Sequence, residues 1–203
     1  SIRLTDSTLS AGGQTLAAYR TETGDGDTDG GNRAHEHKTM GADNIVYLEN
    51  SKILTPENAE YNTTRIHGGT VTMKGTEVDR GPFTEIYAGT SHDRVYSGHG
   101  DQVIKVEVTK NNVIDLRNTK VSSPDLRMGA GKIGVYENAE VSASRALEVN
   151  PEAQITKTDA GEAVLERDKT SNVLSAGQAV AAFRELGADQ PAPPAPEPPA
   201  PPV

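Results

Sequence analysis

The chain has 203 residues, of which only 4% are aromatic, with no Trp, no Cys and 20 Gly, and its mean hydropathy is −0.57. That composition excludes a broad globular core and favours a narrow one lined by Val, Ile, Leu and Ala. A formal net charge of −9 with dispersed Lys and Arg counts against nucleic acid as the main partner; the lack of Cys excludes disulfides and thiolate metal sites, and no stretch approaches the roughly 20 apolar residues of a membrane-spanning helix.

In chain order, residues 2–20 read IRLTDSTLSAGGQTLAAYR, apolar and polar residues alternating before the Gly12-Gly13 break. LTDSTL, residues 4–9, is the first copy of a phrase that returns as LENSKI at 48–53, IHGGTV at 66–71, LRNTKV at 116–121 and YENAEV at 136–141. Each copy reads apolar, any residue, Asp/Asn/Gly, small, Lys/Glu/Thr, apolar. The starts lie 44, 18, 50 and 20 residues apart, which suits one or two turns of a coil of roughly 18–25 residues. The phrase is a strand, a bend and a second strand, because Asn, Asp and Gly tolerate the left-handed backbone of a tight bend. Stacked coils put Asp6, Asn50, Gly68, Asn118 and Asn138 at bends, with side-chain amides hydrogen-bonding along the stack. Leu4, Leu48, Ile53, Val71, Leu116, Val121, Tyr136 and Val141 then point into the core. One coil cannot bury that face, and neighbours stacked on it can.

Residues 21–44 lose the apolar signal and form a polar insertion. Within it DGDTDGGNRAHE, residues 25–36, places carboxylates at loop positions one, three and five (Asp25, Asp27, Asp29), Gly30 at six and Glu36 at twelve. That is the spacing by which oxygen ligands wrap calcium, although Asn32 replaces the expected apolar residue and paired flanking helices are missing. His35, Glu36 and His37 carry ligand chemistry for zinc, but neighbours on an extended chain point to opposite sides. Short strands resume over 45–48, 53–54, 64–66 and 70–73 with Val78. GTSHDRVYSGHGDQV, residues 89–103, resembles a degenerate Gly-Asp calcium-binding roll around Asp93 and Asp101, which turn-forming residues alone also explain. Alternation is clearest in VIKVEV (103–108) and VIDL (113–116), with Asn111-Asn112 as the bend between them.

Residues 133–155 continue the strand pattern with small Ala and Ser. TSNVLSAGQAVAAFREL, residues 170–186, suits a terminal coil or a capping helix stopped at Gly187. PAPPAPEPPAPPV, residues 191–203, can only be an extended spacer. The expected organisation is a β-solenoid over 1–165 interrupted at 21–44, a coil or cap over 166–189, and a Pro-rich tail over 190–203. Opening at Ser1 inside a repeat copy, without a leader, the chain is expected to be a fragment or a processed piece.

LTDSTLSAGG, with echoes at 116–123, 136–143 and 174–177, resembles the repeats of filamentous-haemagglutinin-like adhesins and autotransporter passengers. The close match covers residues 2–13. The resemblance implies an all-β, right-handed parallel β-helix on a bacterial surface, and the chain is read as a structural or adhesive segment of a secreted protein that displays loops to a host or bacterial surface glycan or protein; catalysis is not expected, and the carboxylate spacing over 25–36 makes calcium the one candidate cofactor. Two enzymatic alternatives remain open because β-helices host unrelated functions. A polysaccharide lyase or glycosidase would draw on Asp79, Arg80, Asp93, Arg94 and Asp115. An NAD-using, ADP-ribosyltransferase-like toxin would draw on Arg20, residues 89–91, and Glu137 or Glu148.

Overall fold

The computed structural model describes residues 1–22, 37–39, 41–56, 63–79, 81–95, 101–151, 155–157, 164–167 and 172–175. These residues are all-β, and the strands fall into successive passes of the chain. The first pass holds β1 (Ile2–Thr5), β2 (Thr8–Ser10) and β3 (Gln14–Ala17), followed by β4 (Arg20–Glu22) and β5 (His37–Thr39). The second holds β6 (Ile45–Glu49), β7 (Lys52–Leu54) and β8 (Thr63–Gly68); the third holds β9 (Thr70–Lys74), β10 (Glu77–Asp79) and β11 (Phe83–Ala88), then β12 (Thr90–Val95) and β13 (Asp101–Val108). The fourth is β14 (Val113–Arg117) and the long β15 (Lys120–Gly129), and the fifth is β16 (Lys132–Tyr136) and β17 (Glu140–Val149) with β18 (Ile155–Lys157). β19 (Val164–Arg167) and β20 (Asn172–Ser175) form the sixth.

Strands from successive passes pair in parallel. A six-stranded sheet runs β1-β6-β9-β14-β16-β19, and a nine-stranded sheet joins β2-β7-β10-β15-β11-β8-β3 with β17 on β15 and β20 on β17. Register keeps like residues at one level. Leu4, Leu48, Met73, Leu116 and Val135 are consecutive partners across the first sheet. Leu9, Ile53, Val78, Val121, Val141 and Val173 are partners across the second. The inward residues of the middle passes are buried completely or nearly so, whereas Ile2, Leu4, Leu9 and Leu16 of the first pass are only partly buried.

The bends between the two sheets repeat the same device. Asp6, Asn50, Gly75, Asn118 and Asn138 all have positive φ, from 45° to 62°. Two corrections to the sequence reading follow. The third copy of the phrase is MKGTEV at 73–78, so its bend is at Gly75; Gly68 closes β8 instead. In the fifth copy Val135 takes the core level, because one extra residue puts both Glu137 and Asn138 at positive φ and leaves Tyr136 half-buried opposite Arg117. Leu48, Ile53, Val71, Leu116, Val121 and Val141 are in the core as expected.

Backbone groups and hydroxyls form hydrogen bonds along this corner, where the sequence reading expected amides. Asp6 N–H donates to Glu49 O at 3.0 Å, Asn50 N–H to Lys74 O at 2.8 Å, and Gly75 N–H to Arg117 O at 3.0 Å. After Asn50, Gly75 and Asn118 the next residue adds a buried hydroxyl. Ser51 Oγ accepts from Ser7 N–H at 3.2 Å and donates to Glu49 O at 2.8 Å; Thr119 Oγ1 accepts from Thr76 N–H at 3.4 Å and donates to Arg117 O at 2.9 Å. Ser51, Thr76 and Thr119 are thereby satisfied where water is excluded.

A third, five-stranded sheet runs β18-β13-β12-β5-β4. It joins the excursions that leave the first and third passes, β5 pairing antiparallel with β12. Val106, Val108 and Ile155 from this sheet bury Tyr87 of β11 in a second, smaller core. A Cβ added at Gly129 would stand 1.8 Å from Ile155 Cδ1, so the Ile155 side chain would have to shift to admit one. No helix occurs among the described residues. Of the stretch 170–186, Asn172–Ser175 are strand and the rest, like the Pro-rich tail, lies outside the described residues.

Candidate functional site

The outward face of the nine-stranded sheet gathers charge. Register places Arg65, Glu85, Arg127 and Glu148 on four neighbouring strands at one level, positive and negative in turn. Arg65 Nε lies 3.0 Å from Glu85 Oε2, and Arg127 Nε lies 2.7 Å from Glu148 Oε2. Alternation is what such a row requires, since like charges on adjacent strands repel. Glu85 is only 5% exposed at its side chain, and it also lies 3.9 Å from the buried His67 Nε2.

One level further along the strands, His67, Tyr87 and Gly129 are partners. The His67 and Tyr87 rings are 5.1 Å apart and tilted by 32°. Burial, and next the Glu85 carboxylate, push the Tyr87 phenol well above its ordinary value, so it stays protonated. On the other side of the charged row, the pairing of β15 with β17 slips between Ser123 and Asp125. Ser144 and Arg145 of β17 together face Pro124, which makes a β-bulge, a feature that re-aims side chains. There Arg145 holds Asp125 through two bonds, one of them Nε to Oδ1 at 3.1 Å. A shallow cavity of about 190 Å³ opens beside the bulge, lined by Phe83, Asp125, Leu126, Arg127, Ala146 and Glu148. The Arg127 guanidinium sits 5.0 Å over the Phe83 ring.

The carboxylates of this site are each held by a guanidinium. Proton abstraction would first have to break an ion pair, whereas hydrogen bonding to a polar ligand would not. The arrangement therefore suits recognition better than general acid–base work. The outer face of the six-stranded sheet is similarly occupied: Asp115 holds Arg117 at 2.8 Å, Arg117 also reaches Glu137 at 3.1 Å, and its guanidinium stands 4.7 Å over the Tyr136 ring. The hydrogen bonds from Asp115 and then Glu137 raise the pKa of Arg117.

Sequence reasoning did not find the Arg65, Glu85, Arg127 and Glu148 row. Its members are 20, 42 and 21 residues apart, and only the register shows that they meet. The residues that sequence did propose are scattered. Asp79 ends β10 and Asp115 lies on the other sheet; Asp93 and Arg94 are in β12 with side chains outside the described residues, as is the whole of Arg80. Arg20 is in β4, Glu137 is at a bend and Glu148 is ion-paired to Arg127. Asp25, Asp27, Asp29 and Glu36 lie outside the described residues. Among the described residues no group of three or more His, Asp or Glu is placed to hold a metal ion. No family model, curated protein or solved structure matches the chain.

Proposed function

We propose that the chain is a right-handed parallel β-helix that serves as a structural and adhesive segment of a secreted bacterial surface protein, displaying its excursions and outer faces to a host or bacterial surface glycan or protein. The observation that carries this reading is the corner: Asp6, Asn50, Gly75, Asn118 and Asn138 take up the same left-handed bend in successive passes whose strands pair in parallel. Right-handedness rests on the strong general preference for right-handed connections between parallel strands. Calcium held by Asp25, Asp27, Asp29 and Glu36 belongs to the same reading, as an ion that would stiffen the displayed insertion. Calorimetric titration is expected to give binding heat with the native chain and none with Asp27→Asn.

A second reading, a polysaccharide-active enzyme, is favoured by one observation, the cavity beside the bulge with its carboxylates and arginines. The deciding experiment couples the chain to beads, measures retention on glycan and protein arrays, and assays the same preparation for catalysis. Retention without turnover is the expected result. Release of unsaturated uronides from an acidic polysaccharide would favour the enzyme, and NAD consumption lost on Arg20→Ala would favour the toxin.

A further inference from the structure

Among the described residues two asparagines are buried, Asn112 and Asn150, and the fold employs them differently. Asn112 uses both ends of its amide: Oδ1 accepts from Thr109 N–H at 2.8 Å and from Thr109 Oγ1 at 3.1 Å, while Nδ2 donates to Gly69 O at 2.9 Å. Asn150 follows β17, is 7% exposed, and uses one end only. Its Oδ1 accepts from Ala130 N–H at 2.9 Å, which settles how the amide is turned, and its own N–H donates to Met128 O at 2.7 Å. Nδ2 is buried with no acceptor among the described residues. A buried donor in that state costs stability, and one explanation for tolerating the cost is a chemical role.

The next residue is proline, and Asn150-Pro151 is the one Asn-Pro pair in the chain. At other asparagines the following backbone nitrogen can attack the side-chain carbonyl, which is the route to deamidation. Proline carries no N–H, so that route is closed. The Asn150 backbone carbonyl remains within reach of the residue's own Nδ2, through a five-membered ring. Both sides of the bond are held. Asn150 has φ of 50°, with its N–H and Oδ1 tied to Met128 and Ala130, and Pro151 O accepts at 3.0 Å from the N–H of Ile155, a member of the second core. Fixing the reacting groups in one frame removes part of the entropic barrier. The hydrogen bond to Oδ1 polarises the amide and makes Nδ2–H more acidic.

We propose that Asn150 is a self-cleavage site, at which the chain breaks its own Asn150–Pro151 bond. Nδ2 attacks the Asn150 carbonyl carbon, a Nδ2–C bond forms, the C–N bond to Pro151 breaks, and the proton leaving Nδ2 goes to the proline nitrogen. The products are residues 1–150 ending in a succinimide and residues 151–203 beginning with a secondary amine, with no water taken up. Downstream of the break, β18, β19 and β20 stay paired with β13, β16 and β17, so the fold becomes one of two chains that part only on denaturation. This cleavage goes beyond the adhesive reading and stands without it, since it involves one side chain and the bond beside it.

The test is prolonged incubation of the 203-residue chain at neutral and mildly alkaline pH, beside the same chain in urea and the variants Asn150→Gly and Asn150→Asp, with samples weighed by mass spectrometry under denaturing conditions. The native chain is expected to accumulate both fragments, the 1–150 piece first appearing one water lighter than hydrolysis would leave it, and to do so at least about tenfold faster folded than in urea. Glycine accepts the positive φ and lacks the nucleophile, aspartate keeps an acceptor for Ala130 N–H, and both variants are expected to stay intact. Asn150→Asp decides the matter if Asn150→Gly does not fold. A native chain that stays intact would overturn the proposal, as would a 1–150 piece that carries the extra water from the outset, cleavage no faster in the folded chain than in urea, or folded variants that break after residue 150 like the native chain.

Discussion

The inner and outer rows of the nine-stranded sheet obey opposite rules. Inside, Leu9, Ile53, Val78, Val121 and Val141 repeat one chemistry on successive partners. Outside, Arg65, Glu85, Arg127 and Glu148 change sign at every step, and so do Lys52, Glu77, Lys120 and Glu140 in the neighbouring row, where Lys52 Nζ lies 3.6 Å from Glu77 Oε2. In-register parallel pairing puts equivalent positions next to each other. Apolar residues gain from such contact, and identical charges would repel. A repeat can therefore be faithful within and must vary without.

Substitutions within, outside and at the corner, and one change of pH, break or sharpen this contrast. The largest effect is expected inside: Leu116 is 0% exposed, and Leu116→Ala should cost about 2–5 kcal/mol by chemical denaturation, through lost transfer energy and the cavity left behind. Outside, Arg127→Glu sets three carboxylates in line between Glu85 and Glu148 and should cost about 1–3 kcal/mol. Adding Glu148→Arg in the same chain re-creates an opposite-charge pair between positions 127 and 148 while leaving the repulsion with Glu85, and should recover part of that loss in a double-mutant cycle. At the corner between the rows, Gly75→Ala should cost about 1–2 kcal/mol, because φ is 55° and the new Cβ would lie 2.7 Å from Asn50 Oδ1. Asn118→Gly at the equivalent bend is expected to be nearly neutral.

The smallest effect is one of pH. The Tyr87 pKa is raised in the folded state, so above the ordinary value near 10 the unfolded chain loses a proton that the folded chain keeps. The stability associated with this group is full below about pH 10 and declines as pH rises toward the folded pKa. Urea midpoints measured at pH 8 and near pH 11 should differ by less in Tyr87→Phe than in the native chain.

The strand–bend–strand phrase was legible because it is local: six residues state a left-handed bend between two inward side chains; three of its five copies lie where expected, and a fourth is off by one residue at its first apolar position. The copy at 66–71 misled because Gly68 and Gly69 satisfy the letters of the phrase while performing a different task. Gly69 is hemmed in by the Gly41 carbonyl, 1.5 Å from an added Cβ, and Gly68 closes β8 beneath the pass above. The one-residue slip at Tyr136 could not be read either, since Tyr and Val are both acceptable apolar residues and only pairing with Arg117 separates them. The outer rows were hidden for a deeper reason. Excursions of differing length between passes scramble sequence spacing, so which charges meet is decided by register alone. The same excursions build the third sheet, whose β12–β13 pairing is a local antiparallel hairpin carrying an irregularity between His92 and Asp93.

The half-buried first pass also bears on how the molecule comes apart. Each pass leans mainly on the one before and the one after, so there is no central nucleus whose loss collapses everything together. Among the described residues, Ile2, Leu4 and Leu9 have strand partners on one side only. Fraying should begin there and travel inward pass by pass, with amide exchange fastest in β1 and slowest around β9 and β14. Pulled lengthwise, such a stack yields in small steps, each set by one interface between passes, and tolerates loss of an outer turn without surrendering the rest.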